Sequence, residues 1–254
     1  MIAKRKITLI VYAPALVESD NRPVAVVHGM ERSFPGLRLE WKVSEDGRPI
    51  ALSQRDVWLA EEIKDGGFPL VCNGDESYPV MISGWELPAG SSPGGQAQFE
   101  VHAELPLDAG GGAAVKDVLE AVAESARAYW GHATPFRASV DIARQTRDSV
   151  HKPGVPPRGL PALKLPEKIS SPEIPHRLGW LNYWSAAAAR AIGFPDPARD
   201  AELLSRARRT ASGGWVVRLT DAPLDLDNPA HLEALLRAYD RFPEIGGRGH
   251  RAPP

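Results

Sequence analysis

The stretch QFEVHAEL, residues 98–105, alternates apolar and polar side chains without a break. Successive residues of a β-strand point to opposite faces of the sheet, so this pattern reads as a strand with one face in a core and the other wet. Phe99, Val101, Ala103 and Leu105 are assigned to the core, and Gln98, Glu100, His102 and Glu104 to the polar face. Working outward, Ile7 to Tyr12 reads as a buried strand. Lys4, Arg5 and Lys6 before it imitate a signal peptide, but the apolar run is shorter than the roughly 7 to 15 residues such a segment uses. Leu37 to Val43 alternates as a second half-polar strand, and Phe68 to Cys72 turns at Asn73-Gly74 towards Tyr78 to Trp85 as a hairpin. Trp215 to Leu219 reads as a late strand after Gly213-Gly214.

The helical signals have a different period. Val115, Val118, Leu119, Val122, Ala126 and Tyr129 recur at three- and four-residue intervals, an amphipathic stripe. Asp20 or Asn21 with Pro23 opens an earlier helix, Ser53 with Asp56 marks another, and Asn228-Pro229 caps the last. Thr134 to Arg147, Gly179 to Ile192 and Asp196 to about Arg208 are also expected to be helical. Seven prolines between Pro153 and Pro175 exclude helix interior and central strand, so residues 152–175 are expected to form a surface strap. Together these elements predict an α+β fold: a mainly antiparallel sheet covered on one face by helices, with a helix-rich C-terminal half. One domain is expected over residues 1–245, with a flexible tail at 246–254.

With 254 residues, 43% hydrophobic and 24% charged, the chain has the composition of a soluble globular protein. A net charge of -2 argues against a dedicated nucleic-acid binder. No apolar run approaches the roughly 18 residues of a membrane span. The single cysteine, Cys72, excludes an internal disulfide and fits a cytoplasmic location.

Groups for chemistry are sparse. Gly90 to Gly95 and Gly110 to Gly112 lack both the Walker lysine and the dinucleotide glycine spacing, and the seven histidines form no HExxH or HxH pair. No catalytic residue, cofactor or metal site is assigned. Asp221, Asp225 and Asp227 around Pro223 are the one carboxylate cluster, and they support the alternative of a small metal-dependent hydrolase or transferase, with His176 or His231 as a possible further group. Trp180 and Trp184, four residues apart, share one face of the expected helix; they read as core, or as a docking patch if exposed. A regulatory scaffold using that aromatic helix is a third reading.

Several segments carry a resemblance. ITLIVYAPAL at residues 7–16, AYWG at 128–131, HRLGWLNYWS at 176–185 and GGWVVRLTDAPLD at 213–225 resemble a family abundant in myxobacteria, similar to the immunity protein 52 type of bacterial polymorphic toxin systems. The resemblance implies a non-enzymatic cytoplasmic protein that protects its producer by binding a cognate toxin, often a nuclease. A nuclease presents a positive groove, which carboxylates standing in for phosphates can block with fast, steered association. The candidate contacts are Asp75, Glu76, Glu100, Glu104, Asp221, Asp225 and Asp227, with Trp180 and Trp184. Direct contact with nucleic acid or membrane is not expected, and the oligomeric state is left open.

Overall fold

A computed structural model describes residues 6–17, 20–64, 67–108, 111–146 and 155–249. The alternating stretch forms β6 (Gln98–Pro106), which pairs along its whole length with the N-terminal strand β1 (Lys6–Pro14). These two strands sit at the centre of a ten-stranded sheet among the described residues. On one side of β1 follow β7 (Trp130–Pro135), β8 (Leu181–Trp184), β10 (Trp215–Arg218) and β9 (Ala207–Arg209). On the other side of β6 follow β5 (Met81–Leu87), β4 (Phe68–Cys72), β2 (Trp41–Val43) and β3 (Pro49–Ala51). Every neighbouring pair is antiparallel, so the fold is α+β around one large antiparallel sheet.

Alternation places Ile7, Leu9, Val11 and Ala13 of β1 beside Phe99, Val101, Ala103 and Leu105 of β6, and all eight are shielded from solvent. Their cover is α3 (Gly111–Ala126), whose stripe of Val115, Val118, Leu119 and Val122 is buried against β1, β7 and β8. Helix α1 (Arg22–Ser33) packs on α3, and α2 (Arg55–Lys64) packs on α1 and β4. Close contact between β1 and β7 needs a glycine: a Cβ on Gly131 would lie 2.4 Å from Val11 Cγ1 and 2.8 Å from the Ile10 carbonyl oxygen.

Helices do not lie on one face alone. Tyr183 donates its hydroxyl to Glu124 of α3 at 2.8 Å, whereas its neighbour Trp184 meets Phe242, at the end of α7 (Pro229–Arg241), edge to face at 5.3 Å. Adjacent strand residues point to opposite faces, so the end of α7 covers the β8 part of the face that α3 leaves open. Segment 155–175 is tied down as well. Leu163 N–H donates to Gln145 O, Lys164 N–H to Gly246 O, and Gly94 N–H to Ile169 O. Residues 152–154 of the expected strap lie outside the described residues, as do 250–254 of the expected tail. Gly246, by contrast, is buried and donates to Pro175 O at 2.9 Å.

The C-terminal half carries sheet as well as helix: it supplies β7, β8, β9 and β10 beside α4 (Phe136–Ala143), α5 (Ala186–Ala191), α6 (Ala201–Ser205) and α7. The helix expected over 179–192 is divided. Leu181 to Trp184 is a strand, and Ser185 then caps α5 by accepting from Ala188 N–H at 3.1 Å. Its aromatic residues favour a strand, and burial of all four removes the alternation that would have announced one. The helix expected from Thr134 starts at Phe136, since Thr134 and Pro135 end β7, and the one expected through Arg208 shrinks to α6 before β9 begins.

Candidate functional site

Register on the sheet face opposite α3 brings polar and aromatic side chains from six strands into two rows. Trp85, Glu100, Tyr12, Trp130, Trp184 and Trp215 are successive cross-strand partners in the first. Ser83, His102, Ile10, His132 and Asn182 are successive partners in the second. Tyr12 stacks on Trp130 with ring centroids 4.3 Å apart, and Trp85, which is 42% exposed, sets its ring edge-on to His102 at 6.1 Å. The face therefore runs from a solvent-reached end at Trp85 to a closed end at Trp130 and His132.

The charges on this face are partly desolvated. Burial pushes the Glu100 carboxyl up to about 7, although the Arg177 guanidinium and the Tyr12 hydroxyl favour its anion. Tyr12 is raised in turn, by burial first and then by the Glu100 charge. His132 is driven down to about 3 by burial, reinforced by Arg177, His102 and His176, and His176 also falls to about 3 through burial and Arg177. Both imidazoles are therefore neutral at physiological pH. The His176 tautomer follows from its contacts: Nε2 donates to Lys164 O at 3.0 Å, so Nδ1 accepts from Arg177 at 3.3 Å.

His132 can be assigned in the same way. Thr134 Oγ1 accepts from Trp180 N–H at 3.2 Å and lies 3.4 Å from His132 Nδ1. The buried threonine hydroxyl has its own proton to place, and donating it to Nδ1 leaves the histidine hydrogen on Nε2. That Nε2 has no protein partner. Neither do Trp130 Nε1, Arg177 Nε, His102 Nε2 and both amide atoms of Gln98, and these six are the buried side-chain polar atoms without a hydrogen bond among the described residues. Buried polar groups are normally paired, so gathering these orphans on and beside one sheet face marks it as the candidate site.

The acidic residues proposed from sequence are dispersed. Glu100 lies in this half-closed face rather than on a wet one, and Glu104 is occupied by Lys6 Nζ at 2.6 Å. The polar side of β6 looked solvated because its cover arrives from residues far away in the sequence. Trp180 and Trp184 are buried and not docking residues: Trp180 Nε1 donates to Thr220 O at 2.9 Å, and Trp184 packs on Phe194 and Phe242. Asp221 pairs with Arg218 at 2.8 Å, Asp227 with Arg158 at 2.7 Å and Arg137 at 2.9 Å, while Asp225 accepts from Asp227 N–H at 3.0 Å. The three aspartates thus serve separate partners, and no group of three or more His, Cys, Asp and Glu among the described residues is placed to hold a metal. Asp75 and Glu76 remain exposed on the β4–β5 turn, where the Ser77 hydroxyl, followed by the Ser77 and Tyr78 backbone N–H groups, donates to the Asp75 carboxylate and holds its pKa down.

Sequence reasoning missed Tyr12, Trp130, His132 and Arg177 as parts of a site. The available signal was the spacing of two in Trp130 and His132, which matches that of Glu100 and His102, but it acquires meaning only once β1 is known to lie between them.

No helix among the described residues is long and apolar enough to cross a membrane. No curated protein matches the chain. Among solved structures it is similar to a T6SS protein from Pseudomonas aeruginosa, at 13% identity and a TM-score of 0.55, over 94% of this chain and 74% of the other. That likeness is one of fold. Residues 18–250 match the family described as a domain of unknown function (DUF5953), and the chain belongs to that family.

Proposed function

We propose that this protein is an immunity protein of bacterial competition, which binds a cognate toxin, of the nuclease kind, and neutralises it by direct contact in the cytoplasm. The observation that carries the reading is the likeness to a T6SS protein along 94% of the chain. The segments resembling immunity protein 52 support it from the sequence, and they fall on structural elements: β1, the start of β7, β8 and β10. The protein acts as a binder rather than an enzyme. Asp221 and Asp227, the carboxylates that the enzymatic alternative needs, are engaged in ion pairs with Arg218 and Arg158.

Glu100, Glu104, Trp180 and Trp184 are withdrawn as toxin contacts because each is buried or already paired within the fold. Asp75, Glu76 and Asp225 remain the exposed acidic side chains for a basic partner, since Asp221 and Asp227, although exposed, already hold arginines within the fold. Co-expression with the toxin encoded beside it should restore growth, while unrelated toxins stay lethal. Reversing Asp75 and Glu76 to lysine should slow association and flatten its dependence on salt, with folding intact. Failure to bind or protect against the neighbouring toxin would overturn the reading.

A further inference from the structure

We propose that the sheet face between Trp85 and His132 binds a small monocarboxylate, with Arg177 as its cation and the Trp130 and His132 N–H groups as its inner donors. The site goes beyond toxin neutralisation and does not depend on it. Three observations carry it.

The first is the donor inventory. Trp130 and His132 are fully closed off by their neighbours, sit two residues apart on one face of β7, and carry Nε1 and Nε2 without partners. An indole N–H can only donate, and His132 Nε2 donates in the tautomer in which Nδ1 accepts the Thr134 hydroxyl proton. Arg177 Nε is a third unpartnered donor, while its Nη2 bonds His176 Nδ1 at 3.3 Å. Three N–H groups without acceptors call for a ligand rich in lone pairs.

The second is charge. Arg177 precedes by two residues Gly179, where an added Cβ would lie 3.1 Å from His132 Nδ1, and its charge acts on Tyr12, Glu100, His132 and His176, so it lies beside the orphan donors. His132 and His176 are neutral, His102 is shifted further towards neutrality by burial, and Lys6 is matched by Glu104. One guanidinium is left, opposed by a Glu100 side chain that burial inclines to stay protonated. A carboxylate matches the planar guanidinium in geometry.

The third is access. Glu100, His102 and Arg177 are each partly exposed and Trp85 more so, which leaves the cationic end within reach of solvent while the neutral donors lie at the closed end. That order suits a short acid entering carboxylate first.

The test uses the full chain, labelled with ¹⁵N at its tryptophans, titrated with sodium acetate against sodium chloride and inorganic phosphate at matched ionic strength. One indole N–H signal should shift saturably with acetate and be absent in Trp130→Phe. Arg177→Gln, at a partly exposed position, should weaken acetate binding by roughly tenfold to a hundredfold, the effect of losing a charged hydrogen bond. Identical shifts with chloride, no saturation, tighter binding of phosphate than of acetate, or equal affinity in Arg177→Gln would each overturn the proposal. If Trp130→Phe fails to fold, the Arg177→Gln comparison decides alone.

Discussion

Replacing Trp180 by alanine separates a core role from a docking role. The indole is wholly buried, packs close to Gly112 at the start of α3, and donates from Nε1 to Thr220 O at 2.9 Å. Truncating such a side chain costs about 3 to 5 kcal/mol from lost burial and the cavity left behind. The buried Thr220 carbonyl, deprived of its donor, adds roughly 1 kcal/mol. Against a total stability on the order of 5 to 15 kcal/mol this is a large fraction, and for a chain of this size it lowers Tm by on the order of 10 °C. Urea unfolding followed by far-UV circular dichroism reads the change as a lower midpoint at constant slope. Trp180→Phe keeps most of the volume and loses the hydrogen bond, so it should cost about 1 to 2 kcal/mol. A Trp180→Ala midpoint matching wild type, combined with lost toxin binding, would refute the core assignment and return this residue to the docking surface.

The Glu100 carboxyl titrates at about 7 in the folded chain against an ordinary value of 4.5. The native state therefore holds an extra proton between those values, and stability attributable to this group is present below about pH 4.5 and is lost as pH rises to 7. Glu100→Gln should abolish that loss, so its advantage over wild type in urea midpoint grows across this window to on the order of 3 kcal/mol; parallel profiles would show that the carboxyl is not desolvated. Gly131→Ala forces a methyl to within 2.4 Å of Val11 Cγ1 and 2.8 Å of a rigid strand carbonyl, and should destabilise by about 1 to 3 kcal/mol in the same assay. An unchanged midpoint would mean that β1 and β7 can separate at no cost.

The central strands were legible because Ile7 to Tyr12 is a short apolar run and QFEVHAEL alternates with strand period, and α3 because its apolar residues recur at helical spacing. Leu181 to Trp184 was misread for a physical reason. All four of its side chains are buried, so periodicity is erased, and a spacing of four between Trp180 and Trp184 places them on one side of either a helix or a strand. Strand β9 has only Ala207 to Arg209 at a sheet edge, too short to leave a pattern. The candidate site was less legible than the fold. His102 was assigned correctly to the polar side of β6, yet that side is half closed, because Arg177 and the aromatic end of α7 reach the same face from positions remote in sequence.

That conflict between local pattern and tertiary cover bears on function. A sequence under selection for stability alone would fill a sheet face enclosed on both sides with apolar residues, since a desolvated charge is costly even when paired. β6 does so on the α3 side, where Phe99, Val101, Ala103 and Leu105 are fully buried. On the other side it keeps Gln98, Glu100 and His102, and β7 adds His132 beside an indole whose N–H has no partner. Folding demands none of these polar atoms. Local rules broken at one place, within a sheet that obeys them elsewhere, identify where the chain gives up stability for something other than its fold. For this protein that place is the patch spanned by Glu100, Arg177, Trp130 and His132, and its unpaired donors define the chemistry a ligand must bring.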